Sequence, residues 1–229
     1  MQRYNMFNQI HKGLRVLLYD TATMVQHTDF WNVEEAEETI SRIRDVIFFF
    51  EKHAHSEDNF VFPAIKTYEP SVADAFEQEH VKDHELGEAL AAALTAYETA
   101  PVITGKAALA SPISRSFTRF MVFNLEHMAL EEEVLNPILW RYYSDEELGG
   151  ITGQIVAQIP PPVIAQSNKW MLRGLNVPEI TGWLKQVEAA TPEFIYLSLL
   201  DCAKEELTEQ RFRQVMKGLG KTAAILTNP

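Results

Sequence analysis

Cysteine is almost absent from the sequence, since only Cys202 occurs among 229 residues. A single thiol forms no disulfide within the chain and no thiolate metal site, and it excludes C-x-x-C redox chemistry. Glycine and proline are also scarce. The chain has 10 and 11 of them among 229 residues, which is a smaller combined share than the average of roughly 12%. The scarcity of glycine and proline favours long helices over a loop-rich β architecture. The scarcity of cysteine predicts a reducing, cytoplasmic location.

Positive charge and long apolar runs are scarce as well. Lys and Arg number 20 against 32 Asp and Glu, for a net charge of −12. Nucleic acids and anionic membrane surfaces bind through basic surface, so we expect neither as a partner. The longest conspicuous apolar run, Val46–Phe50, is far shorter than the roughly 20 residues of a membrane-spanning helix. The N-terminus has no basic region followed by an apolar one, so no secretory signal is predicted.

Two segments of the chain differ in composition. All seven histidines lie between His11 and His127, whereas most of the glycines lie after residue 143. This shift predicts a boundary near Tyr143–Ser144. We therefore expect one domain over residues 1–143 and a second region over residues 144–229.

Four long helices are predicted in the first segment from apolar residues that recur with helical spacing. They span about 4–28, 33–67, 71–99 and 112–141. Asn32 and Ser111 are the expected N-caps of the second and fourth helices, and Pro63 should kink the end of the second. Long helices joined by short connections predict an all-α fold, an antiparallel up-down four-helix bundle.

The second segment is predicted to continue as a helical extension. Ser144 and Glu147 form a capping box that opens its first helix. Further helix starts are marked by Pro161, Asn176, Thr191 and Thr208. This extension carries no cluster of residues suited to chemistry. We expect it to pack on the bundle, or to contact a second copy of the chain or another protein partner.

Polar side chains interrupt the apolar stripe of every bundle helix, at positions that should face the core. They are His11 on the first helix, His53 and Glu57 on the second, His80 and His84 on the third, and His127 and Glu131 on the fourth. An isolated polar group in a core costs several kcal/mol unless it has a partner, and a metal centre gives all of them one. Within each pair, the spacing of four residues puts both side chains on one helix face.

The positions also agree in height. A helix rises roughly 1.5 Å per residue, and at that rise the polar residues of antiparallel helices fall in one layer. Their number exceeds the roughly four to six ligands of one first-row ion, which favours two ions with Glu57 and Glu131 as bridges. Imidazole and carboxylate ligands suit iron, with zinc or manganese as alternatives. An open coordination position would admit dioxygen or nitric oxide.

Over about residues 4–141, this set of motifs resembles the hemerythrin-like (HHE) four-helix proteins. The matching elements are the lone His11, H-x-x-x-E at His53–Glu57, H-x-x-x-H at His80–His84 and H-x-x-x-E at His127–Glu131. The resemblance implies two non-haem iron ions, bridged by an oxo or hydroxo group and two carboxylates. It also implies that His11 and His53 hold one iron, and that His84 and His127 hold the other. His80 is either a further ligand or a group that supports the ligands.

Three functions are compatible with this resemblance. The first is a binding protein that holds dioxygen or nitric oxide for sensing, storage or iron handling. The second is an enzyme-like role in iron donation, iron–sulfur cluster repair, or nitric oxide or peroxide reduction. The third is a structural metal bundle that serves as an interaction module. Oxygen carriers have an aspartate where this chain has Glu132, and repair-type and iron-sensing members resemble the His127–Glu131 pair more closely. We favour a binding protein over an enzyme.

Overall fold

The computed structural model describes residues 3–221. Within this range the regular structure is helical and contains no strand. The elements are α1 (Asn8–His27), α2 (Val33–Ser56), π1 (Glu57–Val61), α3 (Phe62–Lys66), α4 (Pro70–Thr99), α5 (Ile103–Ala108), α6 (Ala110–Leu130), π2 (Glu131–Leu135), α7 (Asn136–Tyr142), α8 (Asp145–Gln158), α9 (Pro161–Gly174), α10 (Val177–Ala190), α11 (Glu193–Glu206) and α12 (Glu209–Gly218). No helix among the described residues has the length and apolar character needed to cross a bilayer.

The four predicted bundle helices are all present, so the all-α prediction is confirmed. They are α1, the continuous run α2–π1–α3, α4, and the continuous run α6–π2–α7. Asn32 caps α2 as predicted, because its side chain accepts a hydrogen bond from the backbone of Glu35. Helix α6 begins at Ala110, ahead of the predicted cap Ser111. The short helix α5, which links the third and fourth bundle helices, was not predicted.

Both helices with a His-x-x-x-Glu pair contain a π-helical turn that begins at the glutamate, Glu57 in π1 and Glu131 in π2. A proline follows each turn, Pro63 in α3 and Pro137 in α7. Proline lacks an N–H, and its ring clashes with the carbonyl of the preceding turn. The wider turn accommodates it, since the N–H of Phe62 donates to the carbonyl of Glu57. Where the sequence predicts a kink at Pro63, the structure has this π turn.

The described chain divides into two compact units. The first contains residues 3–8 and 17–159, and the second contains residues 9–16 and 160–221. Helix α8 therefore belongs to the first unit, although composition alone placed the boundary at Tyr143–Ser144. Helix α8 joins this unit through apolar packing, because its Leu148 is buried in one of the hydrophobic clusters of the unit. That cluster includes Phe7, Val61, Phe62, Ile65, Leu135, Leu139 and Leu148.

Capping side chains open three of the described helices after Tyr143 at predicted positions, whereas α11 begins after Pro192 without a side-chain cap from the predicted Thr191. Ser144 and Glu147 form a capping box at α8, and Asn176 begins a second capping box at α10. Thr208 caps α12 through a hydrogen bond from the backbone of Arg211. In the second unit, α9 to α12 enclose an apolar core of their own, which includes Leu172, Leu184, Tyr196, Leu200, Phe212 and Val215.

Gly174 provides a test of packing in the second unit. A Cβ at this position would lie 2.4 Å from the backbone oxygen of Lys12, so Gly174→Ala should lower the free energy of unfolding by about 1–3 kcal/mol. Gly182 in α10 is the matched control, because an added Cβ there meets no atom within 4 Å. Gly182→Ala should raise stability by about 0.5–1 kcal/mol. Urea unfolding of both variants measures the difference, and equal gains would contradict the close approach at Gly174.

Candidate metal centre

Six of the seven predicted ligands come together in two overlapping groups. The first ligand group is His11, His53, Glu57 and Glu131, and the second ligand group is Glu57, His80, His127 and Glu131. In each group, one ligand atom from every residue lies within 4.8 Å of the others. Both glutamates belong to both groups, so each carboxylate lies close to both sets of imidazoles.

Each His-x-x-x-Glu pair aims its imidazole at its own carboxylate. The Nε2 atom of His53 lies 3.3 Å from Oε1 of Glu57, and Nε2 of His127 lies 3.2 Å from Oε1 of Glu131. In both pairs the histidine lies in the last turn of an α-helix and the glutamate opens the π turn. The two helices therefore present the same local arrangement to the centre.

His11 lies near the start of α1 and is completely buried. Helix α1 is continuous from Asn8 to His27. Sequence reasoning placed this histidine in the ligand layer because of its height along the helix. Its ligand atom belongs to the first ligand group.

His80 lies between the two carboxylates. Its Nε2 atom is 3.5 Å from Oε2 of Glu57 and 3.9 Å from Oε1 of Glu131, and its Nδ1 atom is 2.7 Å from Oδ1 of Asp58. A carboxylate only accepts, so Nδ1 is the donor, and Nε2 is the atom directed at the centre. Burial lowers the pKa of His80, but the Asp58 and Glu57 carboxylates outweigh it and raise the pKa to about 10.

His127 has the same two-sided environment. Its Nδ1 atom lies 2.6 Å from Oε2 of Glu79, while Nε2 faces Glu131. Burial lowers the pKa of His127, but Glu131 and Glu79 raise it to about 9. In the metal-free protein the neighbouring carboxylates therefore favour the protonated form of both imidazoles, whose positive charge offsets the buried carboxylates. A metal ion bound here replaces those protons, because only a deprotonated Nε2 is a ligand.

His84 is not brought into either group. About two thirds of its side chain is exposed, at 65%, and it pairs with Glu88 on the surface at 3.4 Å. The structure thus corrects the predicted H-x-x-x-H ligand pair. The buried face of α4 runs through His80, Asp83 and Gly87, so position 84 lies outside the inward face. Of the two histidines on α4, the ligand layer contains His80.

Sequence reasoning missed four polar residues around the centre. Asp58 and Glu79, the outer carboxylates, hold His80 and His127 from a neighbouring helix. Asp83 and Asn124 form a buried pair, in which Nδ2 of Asn124 donates to Oδ1 of Asp83 at 2.6 Å. Burial raises the pKa of Asp83, and the bond from Asn124 opposes that rise. These contacts join different helices, and spacing along one helix carries no signal for them.

The donor set fits a metal. Glu57 and Glu131 are buried. Together with four imidazoles they form two groups whose ligand atoms lie close enough together to hold a metal ion. The Nε2 atom of His127 is buried and lies 3.2 Å from the buried Oε1 of Glu131, so a metal ion bound between them would take both atoms as ligands. Mixed nitrogen and oxygen ligands are those of first-row transition metals.

Comparison with known families agrees with this geometry. A family model described as hemerythrin HHE cation binding domain matches residues 3–139, more than half of the chain. The chain belongs to the hemerythrin HHE family. All six residues of the two ligand groups lie inside the matched range. Searches of curated proteins and of solved structures find no match. The HHE domain and its His/Glu groups together support a metal-binding protein.

The two histidines of α4 distinguish the observed ligand layer from the predicted one. His80→Ala should lower the metal content of the HHE domain, because it removes an imidazole of the second ligand group. His84→Ala should leave the metal content unchanged, because that side chain faces solvent. Elemental analysis of both proteins, purified after growth with iron, provides the measurement. Equal loss of metal in the two variants would contradict this placement of α4.

Proposed function

We propose that this protein binds two non-haem iron ions and uses them to bind a small diatomic ligand, dioxygen or nitric oxide, for sensing, storage or iron handling. The observation that carries the proposal is that Glu57 and Glu131 belong to both ligand groups. Two carboxylates shared between two sets of imidazoles are the arrangement that a pair of adjacent ions requires. A single ion would not use both sets, given the roughly four to six ligands it takes.

The residues divide between the two ions. His11 and His53 would hold the first iron, and His80 and His127 would hold the second. Glu57 and Glu131 would bridge both. Each iron then has four protein ligands from its group, which is fewer than the roughly six positions an iron ion can use. When bound, iron would supply redox chemistry and the remaining positions for a small ligand.

Aromatic rings surround the second ligand group and limit what reaches it. The ring centroid of Phe62 lies 4.8 Å from the ring centroid of His80. The ring centroids of Phe76 and Phe123 lie 5.9 Å and 5.8 Å from the ring centroid of His127. Apolar walls disfavour charged or strongly hydrated molecules, because such groups lose their hydration when buried. A small neutral molecule enters this environment at little cost, which favours a diatomic gas as the ligand.

Metal content tests the dinuclear centre. Wild-type protein grown with iron should contain about two irons per chain, and the His53→Ala/Glu131→Ala double variant should lose them. Elemental analysis after gel filtration provides the measurement, and circular dichroism checks that the variant is still helical. One zinc ion per chain, retained in the double variant, would overturn the proposal.

Gas binding tests the ligand. The reduced protein, kept free of oxygen, should change its visible absorption when nitric oxide or dioxygen is added. Because a binding protein releases its ligand intact, the change should reverse when the gas is removed under vacuum. The metal-free double variant should give no response. A protein that contains two irons yet responds to neither gas would disprove diatomic binding while leaving the metal centre in place.

A further inference from the structure

We propose that the outer carboxylates, Asp58 and Glu79, are positioning residues that determine whether the second metal ion is retained. They act through His80 and His127, the two imidazoles of the second ligand group. The inference rests on the dinuclear centre proposed above. It adds two residues that touch no metal and assigns them a defined effect on one half of the centre.

The first observation is the geometry of the two contacts. Asp58 of π1 bonds Nδ1 of His80 on α4 at 2.7 Å, and Glu79 of α4 bonds Nδ1 of His127 on α6 at 2.6 Å. Each bond joins a histidine to a carboxylate on a different helix. The contacts therefore link the second, third and fourth bundle helices in sequence, and they do so directly behind the ligand layer.

The second observation is which nitrogen each carboxylate occupies. Both bonds engage Nδ1, and the opposite ring atom, Nε2, faces the shared glutamates in His80 and in His127. A carboxylate at Nδ1 fixes the ring orientation and the tautomer in which Nε2 is free to bind metal. Its negative charge also makes Nε2 a stronger donor. The same device thus operates on both imidazoles of one ligand group.

The third observation is the exposure of the outer carboxylates. Asp58 and Glu79 expose 48% and 36% of their side chains, whereas the histidines they hold are almost fully buried. Packing of the core does not require a charge at either position. A carboxylate at the surface that reaches inward to a buried ligand is explained by its effect on that ligand.

The experiment replaces each outer carboxylate by its amide. Asp58→Asn and Glu79→Gln should each weaken binding of the second metal by about 10- to 100-fold, the usual cost of losing such a partner. The double variant should retain about one metal ion per chain instead of two. Matched controls are Asp45→Asn on α2, which is exposed, and Glu77→Gln on α4, which is half-buried and pairs with Lys66 outside the centre. Competition with a metal indicator, using cobalt(II), measures the two affinities separately.

A graded series separates positioning from a structural role. In Asp58→Asn the amide oxygen still accepts from Nδ1 but carries no charge, whereas Asp58→Ala removes the acceptor altogether. Affinity for the second cobalt ion should therefore fall from wild type to Asn and further to Ala. The visible absorption bands of that ion should shift in the same order. Melting temperatures of the metal-free proteins should fall only modestly, since Asp58 is half exposed, so the shift of the absorption bands is the readout that a purely structural role would not produce.

Three outcomes would overturn the inference. The first is a double variant that holds two metal ions with wild-type affinity. The second is a folded double variant that loses both ions equally, because the effect would not be confined to His80 and His127. The third is an Ala variant indistinguishable from the Asn variant. A wild-type protein that binds fewer than two ions would instead contradict the dinuclear function itself, and this inference with it.

Discussion

The burial of two carboxylates is the constraint on which the rest of this bundle depends. Glu57 and Glu131 lie in the core, where an unpaired charge costs far more than the net stability of a domain permits. Four helices offset that cost by placing imidazoles next to these two carboxylates. His80 and His127 therefore have two possible roles, because they offset the charge of the carboxylates when protonated and can bind a metal ion with them when not. Stability and metal binding are properties of one layer.

Proline sets where that layer falls. Pro63 and Pro137 each follow a π turn in a bundle helix, and each turn opens at a glutamate that belongs to both ligand groups. The wide turn and the ligand are thus placed by the same local sequence on two different helices. Both histidines that precede these turns then meet their own carboxylate at nearly equal distance. An approximate two-fold arrangement of the centre follows from this repeated local geometry.

Sequence patterns predicted the helices because caps and apolar spacing act locally, as Asn32, Ser144 and Asn176 illustrate. They also selected six residues that the structure brings together in the two ligand groups, because a polar side chain on a core-facing stripe needs a partner. His84 was wrongly placed in the ligand layer. The apolar stripe of α4 can be drawn through position 83 or through position 84, and only the packing of the helices decides that Asp83 is the buried one. The outer carboxylates could not be predicted, because the contacts of Asp58 and Glu79 run between helices. The family match extends over the bundle alone.

The π turns also set the phase of the bundle helices. A π turn is an α-helix with one residue inserted, and an insertion rotates every later side chain by about 100° around the axis. In this chain Phe62 and Ile65 follow π1 and Leu139 follows π2, and all three are buried in one apolar cluster of the first unit. The residues after each turn therefore bury a different face from the one that a continuous α-helix would bury. The topology of the bundle stays the same, and the ends of the helices adopt a new phase that a uniform periodic pattern does not reveal.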